Sequence, residues 1–465
     1  MLSFSQDDAG YVRELAEFVA IPSVSRDASG DTMLAAAHWA ADQLDFAGGR
    51  VVPTAGHPAV IGEWLGASGA PTVLVYGHLD VQPTGDLDEW RTPPFELTVD
   101  GDIMRGRGAT DDKGPVYIVL KTARAFMEQE GRLPLNVKFL FEGEEEIGSP
   151  NLPAFLDEHA ADLAADLVIS ADGAMWRASE PSIALASKGL VSLDVRVEGA
   201  NTDLHSGRFG GTVANPVHVL SEILASLHNK NGTVTVPGFY DGIPALTDER
   251  RRQIAAIPFS ETDYLHELWL DEAHGEAGYT TLERLWERPT LDVNGVKAGG
   301  KYTVIPHVAV GHLSCRLVPG QDPDAVIEAI TRHIGNAPTA GTHVSVHPDA
   351  ASIPAYTITA DHPAITAATA ALESVYPGQT VLQVNVPGTL PATVLFEQQL
   401  GAKTLFFSFS TADEKLHAPN EFMRIRRLRE GMRAWEQLWR LLAEGTHRLP
   451  AAREQAGGAG EPSEG

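Results

Sequence analysis

The sequence is poor in cysteine, in long apolar runs and in positive charge. A single cysteine, Cys315, stands in the 465 residues, so an intrachain disulfide is excluded. The first residues include Asp7, Asp8, Glu14 and Glu17, whereas a secretory signal needs a basic start and an apolar core. No apolar run approaches the roughly 20 residues that a membrane-spanning helix needs. We therefore expect a cytoplasmic protein, because disulfides are rare in that reducing compartment.

The charge balance is strongly acidic. Lys and Arg number 35 against 62 Asp and Glu, which gives a formal net charge of −27. Nucleic acids and anionic membranes are bound through positive charge, so we expect neither as a partner. Apolar residues make up 43% and charged residues 21%, as in ordinary globular proteins. A chain of this length usually folds as more than one domain.

Strand and helix patterns alternate in the first part of the chain. Apolar runs at 72–76, 135–141 and 166–170 are typical of buried strands, and helix patterns lie between them. Such alternation favours a parallel sheet. The predicted fold class is therefore α/β, with a parallel-sheet domain that helices cover on both faces.

The middle of the chain has a different pattern. Residues 188–354 combine half-buried strand patterns with helix patterns, which favours a smaller α+β domain inserted into the first one. The segment 232–300 within it has no clear assignment. We predict a discontinuous first domain of 1–187 and 355–449, an inserted domain of 188–354 and a disordered tail of 450–465.

Side chains that can bind metal ions follow several predicted strands. Because the carboxyl ends of parallel strands meet at one edge of a sheet, we expect these side chains to lie close together. Imidazole and carboxylate ligands without a thiolate suit Zn²⁺, Mn²⁺ or Co²⁺. The candidates are His78, Asp80, Asp111, Glu145, Glu146, Asp172 and His417.

Each short motif by itself indicates little. A His-x-Asp match such as 78–80 often arises by chance, and an acidic run such as 144–146 is usually solvated. That run, however, directly follows a strand that should be buried, where an unpaired charge is costly and a metal ion is a natural partner. The glycine-rich loop is not a phosphate loop, because Gly114 and Pro115 follow Lys113. No Gly-x-Ser-x-Gly elbow of a serine hydrolase is present.

Taken together, the motifs resemble the cocatalytic-zinc metallopeptidases. That family includes aminoacylases, glutamate carboxypeptidases, succinyl-diaminopimelate desuccinylases and carnosinase-like dipeptidases. The forms Asp-Asp-Lys-Gly-Pro and Asp-Leu-His-Ser-Gly are most similar to the dipeptidase branch. The matching segments, which span nearly the whole chain, are 78–80, 106–115, 145–149, 203–207, 303–306, 316–319 and 417–421.

The resemblance implies two divalent metal ions in each subunit, with zinc favoured and manganese or cobalt as alternatives. His78 and Asp172 would bind one metal ion, and Glu146 and His417 the other. Asp111 would bridge both ions. The resemblance also implies an inserted domain that covers the site and forms a homodimer.

The resemblance also assigns residues that are not ligands. Asp80 would orient His78 from behind. Glu145 would be the general base, and a slip of one residue in the alignment would move that role to Glu144. In the family, the peptide bond that follows the residue equivalent to Asp111 is typically cis.

Further residues are implied to bind the substrate. His205 would reach the partner subunit's site and polarise the scissile carbonyl. The substrate-binding residues would be His205, Thr303, Asn385, Gly388 and Thr389.

Asn385 departs from the family pattern, because the dipeptidases usually have an arginine there that helps to hold the substrate carboxylate. An amide cannot make the bidentate charged contact of a guanidinium. We therefore consider Arg208 and Lys301 as other groups that could bind the carboxylate, and also a substrate that is not a free dipeptide.

The predicted activity is hydrolysis of the amide bond of dipeptides or small peptides. A water held between the metals would attack after Glu145 takes its proton. The alternative within the family is an N-acyl amino acid deacylase or desuccinylase, which Asn385 keeps open. Two further alternatives are an inactive relative that binds metal or peptide, and a structural calcium-binding protein. Calcium prefers an all-oxygen shell, so the two histidines argue against the last.

Overall fold

The computed structural model describes most of the chain. The described residues are 1–5, 8–26, 30–300, 302–339, 341–445 and 449–450. Residues 451–465 of the predicted tail and Lys301 lie outside this range. Among the described residues, none of the helices combines the length and apolar character that crossing a bilayer requires.

The chain divides into two compact units. The first comprises Met1–Leu185, Ile358–Val384 and Pro391–Gly465, and the second comprises Ala186–Thr357 and Asn385–Leu390. The sequence patterns had placed the short segment 385–390 with the first domain, whereas the structure packs it with the second unit. The roles of the two units as catalytic and covering domains stay predictions.

The first unit is built on a mostly parallel sheet. Four adjacent strands run parallel, and two further strands extend the sheet at one edge, each antiparallel to the strand before it. The helices of this unit and the sheet together confirm the predicted α/β class. In sheet order, the described strands are Arg50–Val52, Ala59–Trp64, Asn136–Glu142, Thr72–His78, Leu167–Ser170 and Thr404–Phe406.

The strands of the parallel region are buried along nearly their whole length, as their continuous apolar runs predicted. The register pairs Tyr76 with Leu140 on one side and with Ser170 on the other. These three strands therefore end at the same edge, and the segments that follow them start close together. The antiparallel strand Ala59–Trp64 was not predicted, because its mixed sequence has neither a continuous apolar run nor strict alternation.

Helices and smaller elements complete the first unit. The long helix Lys113–Glu130 has Pro115 in its first turn and ends at Gly131, which has a φ of 69°. The other helices are Ala9–Val19, Asp31–Gln43, Leu152–Leu163, Pro363–Val375, Pro391–Leu395 and Ile425–Ala443, with a π-helical turn at Phe396–Leu400. Short 3₁₀ turns are Asp45–Ala47, Leu87–Glu89 and Glu145–Ile147. A small antiparallel sheet joins Thr98–Asp100, Ile103–Arg105 and Phe422–Arg424. Two strands, Ser182–Ser187 and Leu382–Val386, lie where the chain passes from one unit to the other.

The second unit is an α+β structure. Its described four-stranded antiparallel sheet has the order Thr290–Ala298, Val308–Leu317, Gly189–Glu198 and His343–Ile353. Alternate residues of Gly189–Glu198 are buried, as the period of two predicted, and pack in a core that includes residues of the helices Pro216–Ser226 and Pro323–Gly335. The remaining elements are the helices Ser206–Phe209, Asp248–Ala255, Glu261–Glu267 and Thr281–Glu287 and the strands Leu204–His205, Val304–Ile305 and Tyr356–Thr357.

Polar caps set the starts of several helices in the second unit. The side chain of Asn215 accepts a hydrogen bond from the Val217 amide at the start of Pro216–Ser226. Thr280 and Glu283 form a capping box in the segment that sequence patterns left unassigned. Short helices of this kind have little periodicity to detect, so the caps and the tertiary contacts define them.

We expect the Gly114→Ala substitution to destabilise the first unit. A methyl group there would lie 2.1 Å from the Ala109 carbonyl oxygen and 2.6 Å from the Met423 sulfur. Overpacking of this kind costs roughly 1–3 kcal/mol, so the thermal unfolding midpoint should fall. Gly10→Ala is the matched control, because that helical glycine has nothing within 4 Å of the added carbon, and its midpoint should hold or rise. An unchanged midpoint for Gly114→Ala would contradict this packing.

Candidate metal centre

Two groups of potential metal ligands share one aspartate. The first group is His78, Asp111 and Asp172, and the second is Asp111, Glu146 and His417. Within each group the candidate ligand atoms all lie within 4.8 Å of one another. The five side chains that the resemblance assigned as ligands therefore come together within the first unit, and Asp111 is common to both groups. Their roles as ligands stay predictions.

The parallel sheet positions the first group. His78 is the last residue of the strand Thr72–His78, and Asp172 follows the adjacent strand Leu167–Ser170. Both side chains thus project from the carboxyl edge of the sheet, where parallel α/β proteins place their sites. His78 is fully buried, while Asp172 is half-buried.

Asp111 connects the two groups through its two carboxylate oxygens. One oxygen, Oδ1, lies 3.1 Å from Nε2 of His78, and Oδ2 lies 3.0 Å from Nε2 of His417. The peptide bond between Asp111 and Asp112 is cis, as the resemblance implies. One buried carboxylate therefore faces two imidazoles in different directions.

Glu146 and His417 complete the second group. Oε2 of Glu146 lies 3.2 Å from Nε2 of His417 and accepts a hydrogen bond of 2.8 Å from the Gln82 amide. The other oxygen, Oε1, is buried and has no hydrogen-bond partner among the described residues. A buried carboxylate oxygen without a partner is costly, and a cation in this group would satisfy it. The donor set therefore fits a metal ion, and the contact with Gln82 is one that no sequence pattern predicted.

Asp80 contacts both the His78 ring and the backbone of Glu145 and Glu146. Its carboxylate accepts the backbone N–H groups of Glu145 at 3.2 Å and Glu146 at 3.0 Å. Nδ1 of His78 lies 3.4 Å from the Asp80 carboxylate and 3.0 Å from the Asp80 carbonyl oxygen. Asp80 thus holds both the histidine ring and the 3₁₀ turn Glu145–Ile147, which we call the acidic turn, as a partner of a metal ligand would.

The three consecutive glutamates have different surroundings. The carboxylate of Glu144 is buried and accepts hydrogen bonds from the Asn151 side chain at 2.8 and 3.1 Å and from the His57 backbone at 3.0 Å. Glu145 is half-buried, and its carboxylate has no hydrogen-bond partner among the described residues. Glu144 is therefore held in structural contacts, whereas the Glu145 carboxylate makes none of them, and the role of Glu145 as general base stays a prediction.

The crowding of acids shifts their protonation. Burial raises the pKa of Glu145 well above its usual value, and the charges of Asp172, Asp111 and Glu146 raise it further, against a lowering by His78. Burial likewise raises the pKa of Asp172 to about 6. Cations bound in the two groups would oppose these effects by favouring the charged carboxylates.

The histidines are affected in the opposite direction. Hydrogen bonds to Asp111 and Glu146 raise the pKa of His417 to about 10. Burial lowers the pKa of His78, but hydrogen bonds to Asp111 and Asp80 outweigh it, and the net shift is upward. Without bound cations, these shifts favour the doubly protonated imidazolium form of both rings.

The predicted substrate-binding residues all belong to the second unit. His205 is exposed, and its Nδ1 accepts a hydrogen bond of 3.1 Å from the Gly207 amide. His205 pairs with Val304 across two short strands, and the Ser206 hydroxyl donates to the Thr303 carbonyl oxygen at 2.9 Å. The structure thus brings His205 and Thr303 together.

The segment Asn385–Leu390 carries the other predicted residues, and charged side chains surround it. Asn385 accepts a hydrogen bond of 3.0 Å from Arg250 and donates one of 3.1 Å to Glu287. The Gly388 carbonyl oxygen accepts from the Lys188 amide at 2.9 Å.

Arg316 contacts the same segment. It donates a hydrogen bond of 2.7 Å to the Thr389 hydroxyl. Sequence reasoning did not single out Arg250 or Arg316, although Arg316 begins one of the matching motifs. Of the groups it did suggest, Arg208 is exposed and lies 5.4 Å from the Phe209 ring.

Comparison with known proteins identifies the family. Residues 74–441 match the model of peptidase family M20/M25/M40. The Cys-Gly metallodipeptidase of Schizosaccharomyces pombe is 32% identical over 442 residues, which cover 88% of this chain and 91% of that protein. The human β-Ala-His dipeptidase is 31% identical over 380 residues, with 78% and 73% covered.

A solved structure gives the same result. An M20 family metallo-carboxypeptidase from Sulfolobus solfataricus superposes with a TM-score of 0.82 at 29% identity, covering 95% of this chain and all of that one. The chain therefore belongs to peptidase family M20/M25/M40. Its similarity to dipeptidases confirms the predicted branch, and the deacylase alternative is not favoured.

We predict that zinc binding releases protons and strengthens as pH rises from about 6 to 9. A histidine coordinates a metal only as the neutral base, and both imidazoles carry raised pKa values in the metal-free protein, that of His417 reaching about 10. Potentiometric titration in weak buffer measures the released protons, and a competing chelator measures affinity at each pH. Zinc affinity that did not change over this range would contradict the assignment of histidine ligands.

Proposed function

We propose that this member of peptidase family M20/M25/M40 is a dipeptidase with a two-metal site. The observation that carries the proposal is the Asp111 carboxylate, which belongs to both ligand groups. Relatives over most of the chain are a Cys-Gly metallodipeptidase and a β-Ala-His dipeptidase. A cytoplasmic location and a homodimer are part of the proposal and rest on the sequence composition and the resemblance.

The ligand assignment follows the two groups. His78 and Asp172 would hold one divalent cation, Glu146 and His417 the other, and Asp111 both. Zinc is the favoured ion because mixed imidazole and carboxylate ligands suit it, with manganese or cobalt as alternatives. Two cations there would polarise the scissile carbonyl and lower the pKa of a water molecule.

Glu145 supplies the proton transfers in this proposal. Its carboxylate takes a proton from the attacking water and passes it to the leaving amine. Its lack of a hydrogen-bond partner among the described residues supports this role, since Glu144 beside it is held by Asn151 and His57. Asp80 keeps the acidic turn in place by accepting two of its amides.

Residues of the second unit would bind the substrate. His205 would donate to the carbonyl oxygen as negative charge develops, a role that rests on the resemblance. Thr303, Asn385 and Gly388 would contact the substrate on the same basis.

Arg316 is the cation that we assign to the substrate's free carboxylate, together with Thr389. Its guanidinium donates one hydrogen bond to Thr389 and has no other hydrogen-bond or ion-pair partner among the described residues. A guanidinium with free donors is suited to a carboxylate. This assignment replaces the arginine that Asn385 does not provide.

We expect Glu145→Gln to abolish most turnover while zinc content stays unchanged. The amide cannot accept the proton, and general acid–base catalysis typically contributes about 10²–10⁴-fold. Steady-state kinetics and metal analysis of the purified variant measure the two effects.

Glu144→Gln is the matched control and should keep most of its turnover, because the Glu144 carboxylate has a structural role. If Glu144→Gln lost activity and Glu145→Gln kept it, the two roles would be reversed.

We predict hydrolysis of unmodified dipeptides and poor hydrolysis of the same dipeptides amidated at the carboxyl terminus. N-acetyl and N-succinyl amino acids complete the panel. Arg316→Met should raise KM for free dipeptides and reduce the preference over amidated ones, because the charge that binds the carboxylate is gone. Hydrolysis of N-acyl amino acids alone would move the protein to the deacylase branch, and a preference that survives in Arg316→Met would place the carboxylate elsewhere.

A further inference from the structure

We propose that Glu421 is a positioning residue that places Asp111 for both metal ions. It holds the loop of residues 106–112, which we call the Asp111 loop, against the segment 417–421, which carries His417. The proposal rests on the two-metal site described above. The sequence patterns assigned no role to Glu421, although this residue ends the motif that begins at His417. Its side chain is fully buried, and its partners all lie in the first unit.

The carboxylate of Glu421 gathers the loop that carries Asp111. Oε1 accepts the backbone N–H groups of Thr110 at 3.0 Å and Asp111 at 3.2 Å. Oε2 accepts the Gly108 amide at 3.1 Å and a guanidinium N–H of Arg107 at 2.7 Å. An ionised carboxylate has about four acceptor sites, and these donors occupy all of them. The loop is therefore shaped around this one side chain.

Arg107 neutralises the charge and is itself fixed. Its second guanidinium nitrogen donates to the Pro83 carbonyl oxygen at 3.0 Å, and the guanidinium carbon lies 5.5 Å from the centre of the Trp90 ring. The side chain is 2% exposed. A buried ion pair is stable only when its remaining donors and acceptors are satisfied, as they largely are for this pair.

Backbone contacts bind Glu421 to the other ligand-bearing segment. The Glu421 carbonyl oxygen accepts the Gly106 amide at 3.0 Å, and the next residue, Phe422, pairs with Arg105 in the small sheet. Asn420 donates to the Glu89 carbonyl oxygen at 2.7 Å. The segment after His417 is thus attached to the strand that leads into the Asp111 loop.

A second buried acid, Glu414, precedes His417 in the sequence and holds the same loop. The carboxylate of Glu414 accepts the Thr110 hydroxyl at 2.6 Å and the Thr411 amide at 3.0 Å. Thr110, which directly precedes Asp111, is therefore held by Glu414 through its hydroxyl and by Glu421 through its amide. The two acids lie on either side of His417 in sequence.

This arrangement has a consequence for metal binding. Since Asp111 contributes to both ligand groups, a displaced Asp111 loop weakens both cation sites together rather than one of them. Loss of a partner that orients a metal ligand typically costs roughly 10–100-fold in metal affinity. We expect this loss for both zinc ions when Glu421 no longer accepts the Asp111 amide.

Two double variants separate positioning from the burial of an ion pair. Arg107→Met with Glu421→Gln removes the charges, but the Gln oxygen can still accept the amides of Thr110 and Asp111. Arg107→Met with Glu421→Met also removes the charges and leaves those amides without their acceptor. Zinc stoichiometry and affinity for both sites are measured by competition with a chromogenic chelator, with thermal melts to show that each variant is folded.

We expect the Gln double variant to bind zinc within a few-fold of the wild type and the Met double variant to bind both ions at least about tenfold more weakly. Equal zinc affinities for the two double variants would overturn the proposal, and so would a loss confined to one site. If the wild type itself does not bind two zinc ions, the proposed function fails rather than the positioning role alone.

A single variant keeps the test decisive if the Met double variant does not fold. Glu421→Asp retains the charge but withdraws the oxygens by one methylene, and it should weaken both zinc ions about tenfold or more. Glu436→Asp is the matched control, because Glu436 is also buried and accepts the Leu2 amide at 2.7 Å and Arg440 at 3.0 Å. Wild-type affinity in both Asp variants would overturn the proposal.

Discussion

The centre depends on one buried carboxylate, that of Asp111, between two imidazoles. Its oxygens lie 3.1 Å from His78 and 3.0 Å from His417. Burial alone raises the pKa of this acid, but hydrogen bonds from His417 and His78 outweigh that effect and hold it below its usual range. The loop that carries Asp111 must therefore keep the carboxylate ionised, with one oxygen facing His78 and the other facing His417. The ends of the parallel strands supply His78 and Asp172, and the loops supply the remaining ligands.

The acids around this centre divide into two kinds by what they accept. Asp80 and Glu421 accept backbone amides of the segments that carry other ligands, and Glu144 accepts a backbone amide and the Asn151 side chain. Glu145 and one oxygen of Glu146 have no such partner among the described residues. The same side-chain chemistry thus provides a scaffold in one group of residues and leaves reactive or coordinating oxygens in the other. This division explains how many acids can lie together without each one being a ligand.

The second unit shows how a departure from the family pattern is accommodated. An amide can both accept and donate, and Asn385 uses both abilities, with Arg250 on one side and Glu287 on the other. An arginine at this position could only donate and would face the guanidinium of Arg250. Arg250 and Glu287 belong to the segment 232–300, which had no clear assignment from sequence. The hydrogen-bond partners of Asn385 could therefore not be predicted from the sequence. The geometry accounts for an asparagine at this position and leaves Arg316 as a separate cation beside Thr389.

The sequence by itself determined the α/β class, the family and the set of residues from which the centre is built. Continuous apolar runs marked the parallel strands, and the positions of His78 and Asp172 after those runs were enough to place them at one edge of the sheet. The antiparallel strand Ala59–Trp64, the short helices of 232–300 and the attachment of 385–390 to the second unit were decided only by tertiary structure, because their local patterns are weak. The same holds for the difference between Glu144 and Glu145. Two adjacent glutamates have the same local sequence signal. The Glu144 carboxylate alone accepts hydrogen bonds from Asn151 and from the His57 backbone, which is distant in the chain, whereas the Glu145 carboxylate has no such partner among the described residues.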